Sequence, residues 1–309
     1  MTISFSGNQQ QYPTLGQNTK AVIKGSLVAG LGTAAVMVPV SLGLMNQLAK
    51  VNRSVVQQEL ATLNQAGNTI LKTSGLADKG VKILRKISLK PFKQFFKLLP
   101  EKISKVMKML NPCVQIAAGK NAAFDFAANE VLCGNKMPLA QFHELGHAMN
   151  FHKLGGFMGK FGNILQNLRL DLFPARMKEL GAGITKKFPI AAAALALTGA
   201  AISYIALFKN KKATDEKPVG FWDKTTTFIK NNAGKLTFAT MLPMVLEEGL
   251  ASLQGQKLAK KLLSPELFKK VIKSNAIGFS TYLLAAVGAG VAMRLAVKVR
   301  DKIAQPNLK

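Results

Sequence analysis

Residues 142–150, FHELGHAMN, contain two of the three histidines of the chain, His143 and His147, with Glu144 directly after the first. On an α-helix, positions i and i+4 lie on one face, so both imidazoles can present a ring nitrogen to the same metal ion. Glu144 lies one position further round the helix, where its carboxylate can reach a metal-bound water. The pattern predicts a zinc site in which Glu144 acts as the general base.

A tetrahedral zinc site of this kind needs a third protein ligand. His152 lies five positions after His147 and therefore off the ligand face, so we expect it not to bind the metal. Because the chain has three histidines, the third ligand must be a carboxylate or a cysteine. The separation of Cys113 and Cys133 fits neither a CxxC metal pair nor a redox motif, and we interpret both as ordinary thiols.

The sequence HELGHA resembles the zinc helix of the zincin metallopeptidases. The preceding stretch NAAFDFAANEVL resembles the edge strand that lines the substrate cleft in these enzymes and pairs with an extended peptide. Asn150 and Lys153 stand where the metzincin pattern HExxHxxGxxH requires Gly and His. The resemblance is therefore to gluzincins, whose third ligand is a glutamate from a later helix.

The segment MVLEEGLASLQG supplies such a glutamate. It matches the gluzincin ExxA motif at Glu248, and it matches NEGxA except that Glu247 replaces the asparagine. The resemblance implies Glu248 as the third ligand, with Glu247 as the alternate if the register shifts by one. Asp171 in LRLDLFP resembles the LDG aspartate of site-2-type membrane proteases and is a further alternative.

The CAAX-prenyl-protease and heat-shock membrane-protease group of gluzincins places membrane helices between HExxH and the glutamate, and the layout of this chain is distantly similar. In that group the motif continues to an aspartate, whereas this chain has Ser252 at that position.

The elements that must position these residues are predicted to be mainly helical and apolar. The chain has 309 residues, of which 48% are hydrophobic, and a formal net charge of +27. Long apolar runs between basic segments are typical of a membrane protein attracted to anionic headgroups. Runs of about 20 apolar residues match about 30 Å of hydrocarbon. We predict membrane helices near residues 25–49, 189–208, 236–253 and 275–293, with the Lys-rich residues 209–235 turning outside the membrane.

The remaining segments complete three predicted regions. Residues 1–24 are expected to be a disordered polar tail. Residues 25–110 are expected to hold one membrane helix and basic amphipathic helices, the latter between residues 76 and 110 and lying on the membrane surface. Residues 111–309 are expected to form the metallopeptidase region, with a β-hairpin or edge strand within residues 114–134.

Together these patterns predict a mainly α fold: an integral-membrane helical bundle with a zincin-like HExxH helix and a short β-hairpin or edge strand. The predicted function is that of a multi-pass, zinc-dependent membrane endopeptidase acting on peptide or protein substrates. One alternative is a non-catalytic membrane-associated binding or scaffold protein with a relic zinc site. Another is a basic nucleic-acid or lipid-surface binder, of which nucleic-acid binding is the less favoured because no nucleic-acid-binding module accompanies the charge.

Overall fold

The computed structural model describes residues 14–85, 121–126, 128–168, 190–210 and 220–304. Within these residues the chain is mainly helical, as predicted, and adds one small sheet. The elements are α1 (Leu15–Arg53), α2 (Gln57–Thr73), β1 (Lys82–Leu84), β2 (Ala122–Asp125), β3 (Glu130–Cys133), a 3-10 turn (Pro138–Ala140), α3 (Gln141–Phe151), α4 (Phe157–Leu168), α5 (Ile190–Phe208), α6 (Phe221–Ala259) and α7 (Pro265–Ala304).

The chain divides into two compact units, which are described separately. The helical unit comprises Met1–Val38, Leu197–Thr240 and Val287–Lys309. The site unit comprises Pro39–Ala196 and Met241–Ala286, and it contains the HExxH helix and the predicted glutamate ligand.

In the helical unit, neighbouring helices run in opposite directions. A β-carbon at Gly25 of α1 would overlap the carbonyl oxygen of Ala296 in α7, and Met37 of α1 lies against Gly288 of α7. Because residue numbers rise along α1 from one contact to the next while they fall along α7, the two helices are antiparallel. Small residues at such contacts allow the helix backbones to approach closely.

A buried polar cluster lies at one end of the helical unit. Arg300 and Lys230 are both buried and both face Asp301, at 2.9 and 2.7 Å respectively. Arg300 also donates to the side-chain oxygens of Asn18 and Asn210. The start of α1, the end of α5, the first third of α6 and the end of α7 therefore meet at this end.

The outer surface of the helical unit is apolar. Leu31, Val36 and Leu197 are 72%, 65% and 70% exposed, whereas the charged Arg300 is fully buried. Arg and Lys are almost never fully buried unless paired, and Arg300 and Lys230 are both paired with Asp301.

The site unit has a conventional apolar core. Nineteen buried residues form one cluster there, drawn from the end of α1, α2, the sheet, α3 and the beginning of α7. In the sheet, the central strand β3 pairs with β2 antiparallel and with β1 in parallel. Antiparallel pairing of Phe124 with Val131 confirms the predicted hairpin.

Three helices, α1, α6 and α7, are long and apolar enough to cross a membrane, by length and composition. They include three of the four predicted membrane segments. The fourth, near residues 189–208, corresponds to the shorter apolar helix α5.

Two helix starts differ from the sequence prediction. Helix α1 begins at Leu15, within the predicted tail, because Thr14 and Gln17 form a reciprocal capping box: Thr14 N–H donates to Gln17 Oε1 at 2.8 Å and Gln17 N–H donates to Thr14 Oγ1 at 3.3 Å. Helix α6 begins at Phe221, within the predicted polar turn, because its Lys230 binds the carbonyl oxygen of Ala206 at the end of α5. Residues 1–13 and 211–219 lie outside the described residues.

Two further boundaries also differ. Residues 82–84 form β1 and not an amphipathic helix, because Ile83 pairs with Val131 of β3. Residues 86–110, which hold the other predicted amphipathic helices, lie outside the described residues. Helix α7 continues past Arg294 to Ala304, where its last turns carry Arg300 into the polar cluster.

Candidate metal centre

Helix α3 presents the two histidines on one face and packs into the core with the other. Phe142, Leu145 and Ala148 are fully buried in the core of the site unit. The rings of His143 and His147 meet edge to face, with their centroids 4.5 Å apart. The helix ends at Phe151, and Lys153, with a φ angle of 56°, takes the left-handed position just after it; Gly155 and Gly156, where the glycine pair predicts the end, come later.

Two side-chain contacts fix the start of α3. Asn52, at the end of α1, accepts a hydrogen bond from the backbone N–H of Leu139 in the 3-10 turn, at 3.2 Å. Gln141 donates to the carbonyl oxygen of Leu63 in α2, at 3.1 Å. These buried hydrogen bonds connect the start of the HExxH helix to α1 and to α2.

Glu248 completes a cluster with the two histidines. Its Oε2 atom lies 2.9 Å from His143 Nε2 and 3.3 Å from His147 Nε2. The two Nε2 atoms are 2.9 Å apart. The three side chains predicted as ligands are therefore brought together, in a group that could hold a metal ion.

The dimensions of this triangle fit a small divalent cation. A point equidistant from the three atoms in their own plane lies about 1.8 Å from each, which is shorter than the usual zinc–ligand distance of about 2.0–2.1 Å. An ion just above the plane can thus lie at bonding distance from all three atoms. Two imidazole nitrogens and one carboxylate oxygen are also a ligand set typical of catalytic zinc.

Two glycines allow α3 and α6 to approach closely enough to form the cluster. A β-carbon at Gly146 would overlap the carbonyl oxygen of Ala251, and one at Gly255 would overlap the carbonyl oxygen of Phe142. Gly146 is the small residue between the two histidines, so any side chain there would push Glu248 away from them.

Glu247 and Glu248 have different roles, although they are adjacent. Glu247 Oε1 lies 2.8 Å from His147 Nδ1, on the opposite side of the ring from the cluster of Nε2 atoms. Asn150 Nδ2 donates to the same Glu247 oxygen at 3.0 Å. A carboxylate at Nδ1 orients the ring and leaves Nε2 free for a metal. This geometry favours Glu248 over the alternate Glu247 as ligand.

Ser252 occupies the corresponding position at the other imidazole. Its Oγ atom lies 3.0 Å from His143 Nδ1, so the hydroxyl orients that ring. Ser252 stands where the membrane gluzincins named above have an aspartate, and it provides the hydrogen-bonding group without the charge.

Side chains of helix α4 donate hydrogen bonds to backbone carbonyl oxygens of α3. Gln166 donates to the carbonyl oxygen of His147 at 3.1 Å, and Asn163 donates to that of Phe151 at 2.9 Å. Asn150 also accepts a hydrogen bond from Gln254 of α6. The metal-site helix is thus bonded to α4 on one side and to α6 on the other.

Glu144 is buried beside the edge strand β2. Its carboxylate accepts a hydrogen bond from the backbone N–H of Phe124 and lies within the electrostatic influence of His143, His147 and Glu248. Burial raises the pKa of Glu144, because it penalises the charged form, while the two imidazoles act in the opposite direction. A carboxyl with a raised pKa is suited to exchange protons near neutral pH.

His147 experiences the opposing effects of burial and two carboxylates. Burial lowers its pKa, but the carboxylates of Glu247 and Glu248 outweigh burial, so the pKa of His147 is raised well above its usual value. The site therefore has a strong affinity for positive charge, which a proton or a bound cation can supply.

The other candidates for the third ligand do not join the cluster. His152 Nε2 lies 2.8 Å from Asn129 Oδ1, away from the other histidines, in agreement with the prediction that it is not a ligand. Cys133 is a buried free thiol that donates to the carbonyl oxygen of Met137, and burial raises its pKa to about 12. Asp171 and Cys113 lie outside the described residues.

Sequence reasoning did not identify the residues that orient the two imidazoles. The register along α6 offered one usable signal: Ser252 follows Glu248 by four positions and so lies on its helix face. The contact of Asn150 with Glu247 joins residues 97 positions apart and has no local signal.

The chain matches no protein-family model, no curated protein and no solved structure. The resemblance to gluzincins is therefore still a prediction based on the motifs.

Proposed function

We propose that the protein is a zinc-dependent, membrane-associated endopeptidase. The observation that carries the proposal is the convergence of His143, His147 and Glu248 next to the buried carboxyl group of Glu144. Zinc is the proposed ion because the ligand set of two imidazoles and one carboxylate is common in zinc hydrolases. When bound, zinc would act as a Lewis acid, polarising a peptide carbonyl and lowering the pKa of water towards 7.

In this proposal Glu144 moves the protons. Its carboxylate takes a proton from the attacking water and delivers it to the amine that leaves when the peptide bond breaks. Burial raises the pKa of Glu144, which is the direction that favours a proton shuttle. Glu247 and Ser252 hold the two imidazoles in orientation while this happens.

Strand β2 is the proposed docking edge for the peptide. Among the described strands, β2 pairs only with β3 and so is an edge of the sheet. Glu144 accepts the N–H of Phe124 in this strand, so the edge lies beside the catalytic carboxyl group. An extended peptide added to this edge would place a carbonyl group near the metal centre.

The proposed location is a multi-pass position in a membrane, with anionic headgroups as lipid partners. The support is the helical unit, whose exposed surface is apolar while Lys230 and Arg300 are buried. In a bilayer, charged side chains face the interior of a helix bundle and pair there, as these two do with Asp301. Helices α1, α6 and α7, with the shorter α5, are the proposed spans.

The test of the catalytic proposal is Glu144→Gln, which keeps the size of the side chain but removes its basicity. We expect the purified variant to retain zinc and to lose about 10²–10⁴-fold in the rate of casein hydrolysis, the usual contribution of a general acid–base group. Zinc is measured by mass spectrometry on the same samples. The matched control is Asp78→Asn, which removes an exposed carboxylate from the same unit and should change neither quantity.

Two results would contradict the proposal in different ways. If wild-type protein purified without chelators contains no zinc, the proposed metal centre is refuted. Wild-type protein that binds zinc but hydrolyses no peptide would instead support the alternative of a relic zinc site in a binding or scaffold protein.

A further inference from the structure

Helix α4 has two apolar faces, and among the described residues only one of them packs against protein. On the packed face, Gly159, Gly162 and Leu165 are buried, with Gly162 directly against Asn150 of α3. A helix packed in this way normally has a polar opposite face.

The opposite face of α4 consists of large apolar side chains instead. Phe157, Phe161 and Ile164 are 79%, 39% and 57% exposed. Their spacing of four and three residues places them on one side of the helix. The two phenylalanine rings stack, with centroids 5.9 Å apart and an interplanar angle of 9°, so they form a continuous apolar surface.

The charged side chains of α4 and of the segment just before it have a single sign. Lys160 is exposed at its edge, Lys153 is exposed just before the helix, and residues 153–168 contain no aspartate or glutamate. An amphipathic surface with aromatic and aliphatic side chains, flanked only by lysines, is complementary to acyl chains beneath anionic headgroups. The long apolar helices α1, α6 and α7 make a bilayer the apolar phase that is available to this chain.

We propose that the exposed face of α4 lies in the bilayer interface, with acyl chains covering Phe157, Phe161 and Ile164 and anionic headgroups contacting Lys153 and Lys160. The proposal rests on the proposed membrane location but is independent of the peptidase activity. Because Gln166 of α4 is bonded to the backbone of His147, the lipid-bound helix also holds the metal-site helix at the membrane surface. Substrates of the site would then be peptide segments next to the bilayer.

The proposal can be tested by placing a fluorescent probe on α4 in the full-length protein. Trp222 is the single tryptophan of the chain and lies in the helical unit, so Trp222→Phe provides a dark background. Phe157→Trp and, separately, Ile164→Trp are then introduced. Each protein is reconstituted into vesicles of phosphatidylcholine and phosphatidylglycerol, with or without bromine atoms on the acyl chains.

We expect brominated lipid to reduce the emission of both probes about twofold, because the apolar face of an interfacial helix lies about 5–10 Å into the headgroup–acyl boundary. The matched control is Gln58→Trp in the same background. Gln58 is an exposed polar position on α2, and its probe should be unaffected by bromine.

Three outcomes would overturn the proposal, and they are distinguishable. Unquenched, solvent-like emission from both α4 probes would show that the face is in water. Unquenched but blue-shifted emission would show that another part of the chain or a second copy covers it. Failure of the protein to remain with the vesicles after an alkaline carbonate wash would also refute the membrane location on which the proposal rests.

Discussion

The helical unit and the site unit both bury charged side chains, but they compensate for them differently. In the helical unit, Lys230 and Arg300 are buried behind an apolar outer surface, and Asp301 lies between them. In the site unit, Glu247 and Glu248 are buried within a large apolar core, and two imidazoles face them.

The difference indicates different uses for the buried charge. The excess positive charge of the polar cluster is also met by carbonyl oxygens at the end of α5: Lys230 lies 2.8 Å from that of Ala206. A helix C-terminus favours cations, so these carbonyl oxygens and Asp301 together compensate the charge of this cluster, although Arg300 Nε has no hydrogen-bond partner among the described residues. The site unit instead concentrates negative charge around Nε2 atoms that point at one another, which favours binding of a cation. The first arrangement pairs charges within the fold, whereas the second forms a cluster that could hold a metal ion.

The largest expected effect is on stability and comes from a change in the polar cluster of the helical unit. Asp301→Asn removes the carboxylate that Lys230 and Arg300 share, and breaking a buried ion pair in this way costs about 3–5 kcal/mol. We expect a corresponding fall in the free energy of unfolding in detergent, measured by chemical denaturation, with zinc stoichiometry unchanged in the protein that is still folded. Glu266→Gln, an exposed carboxylate on the same helix, is the control. Equal stability of Asp301→Asn and wild type would mean that the polar cluster is not a structural ion pair.

The next effect concerns the site unit. Glu247→Gln removes the charge at His147 Nδ1 while keeping a hydrogen-bonding group there. Loss of a partner behind a metal ligand typically weakens binding about 10–100-fold, equivalent to about 1.4–2.7 kcal/mol. Zinc affinity, measured by competition with a chelating dye, should fall by this factor, and the metal-free protein should also lose stability because Glu247 is buried and paired with His147. An unaltered zinc affinity would refute the orienting role of Glu247. Asp78→Asn again serves as the control.

The smallest effect tests a partly buried ion pair in the site unit. The hydrogen bond from Lys270, and then that from the Val56 N–H, lower the pKa of Glu59. Because the pKa is lower in the folded state, the stabilisation is present above the unfolded pKa of about 4.3 and is lost as the pH falls through the folded pKa. Glu59→Gln should therefore reduce stability by about 0.2–1 kcal/mol at neutral pH. Thermal unfolding curves of wild type and variant should converge in acid; a difference that persists there would have another cause.

Much of the local structure could be predicted from the sequence because its signals are short-range. The HELGHA spacing and the hairpin before the helix both depend on neighbours within a few positions. The start of α1 was also readable from the capping box of Thr14 and Gln17. So was the start of α7 at Pro265, which precedes the predicted segment 275–293 and is capped by Ser264, whose Oγ lies 3.4 Å from the Leu267 nitrogen. Apolar runs alone do not identify these starts, since the residues that extend the helices are polar.

The contacts between distant segments could not be predicted in this way. Lys230 sits in a polar stretch that suggests a turn, yet it is buried because Asp301 and the end of α5 lie beside it. Strand β1 also depends on a distant segment, because Ile83 is in a strand only through its pairing with β3.

The sequence by itself determined which groups could do chemistry. Two histidines spaced for one helix face, a carboxylate beside the first, and a second pair of carboxylates in an apolar segment limit the ligands to a few atoms. Only the tertiary structure favours Glu248 over Glu247 as the third ligand, because the choice depends on which ring nitrogen each carboxylate oxygen meets. That pairing depends on the crossing of α3 and α6 at Gly146 and Gly255, where the absence of side chains lets the two backbones touch.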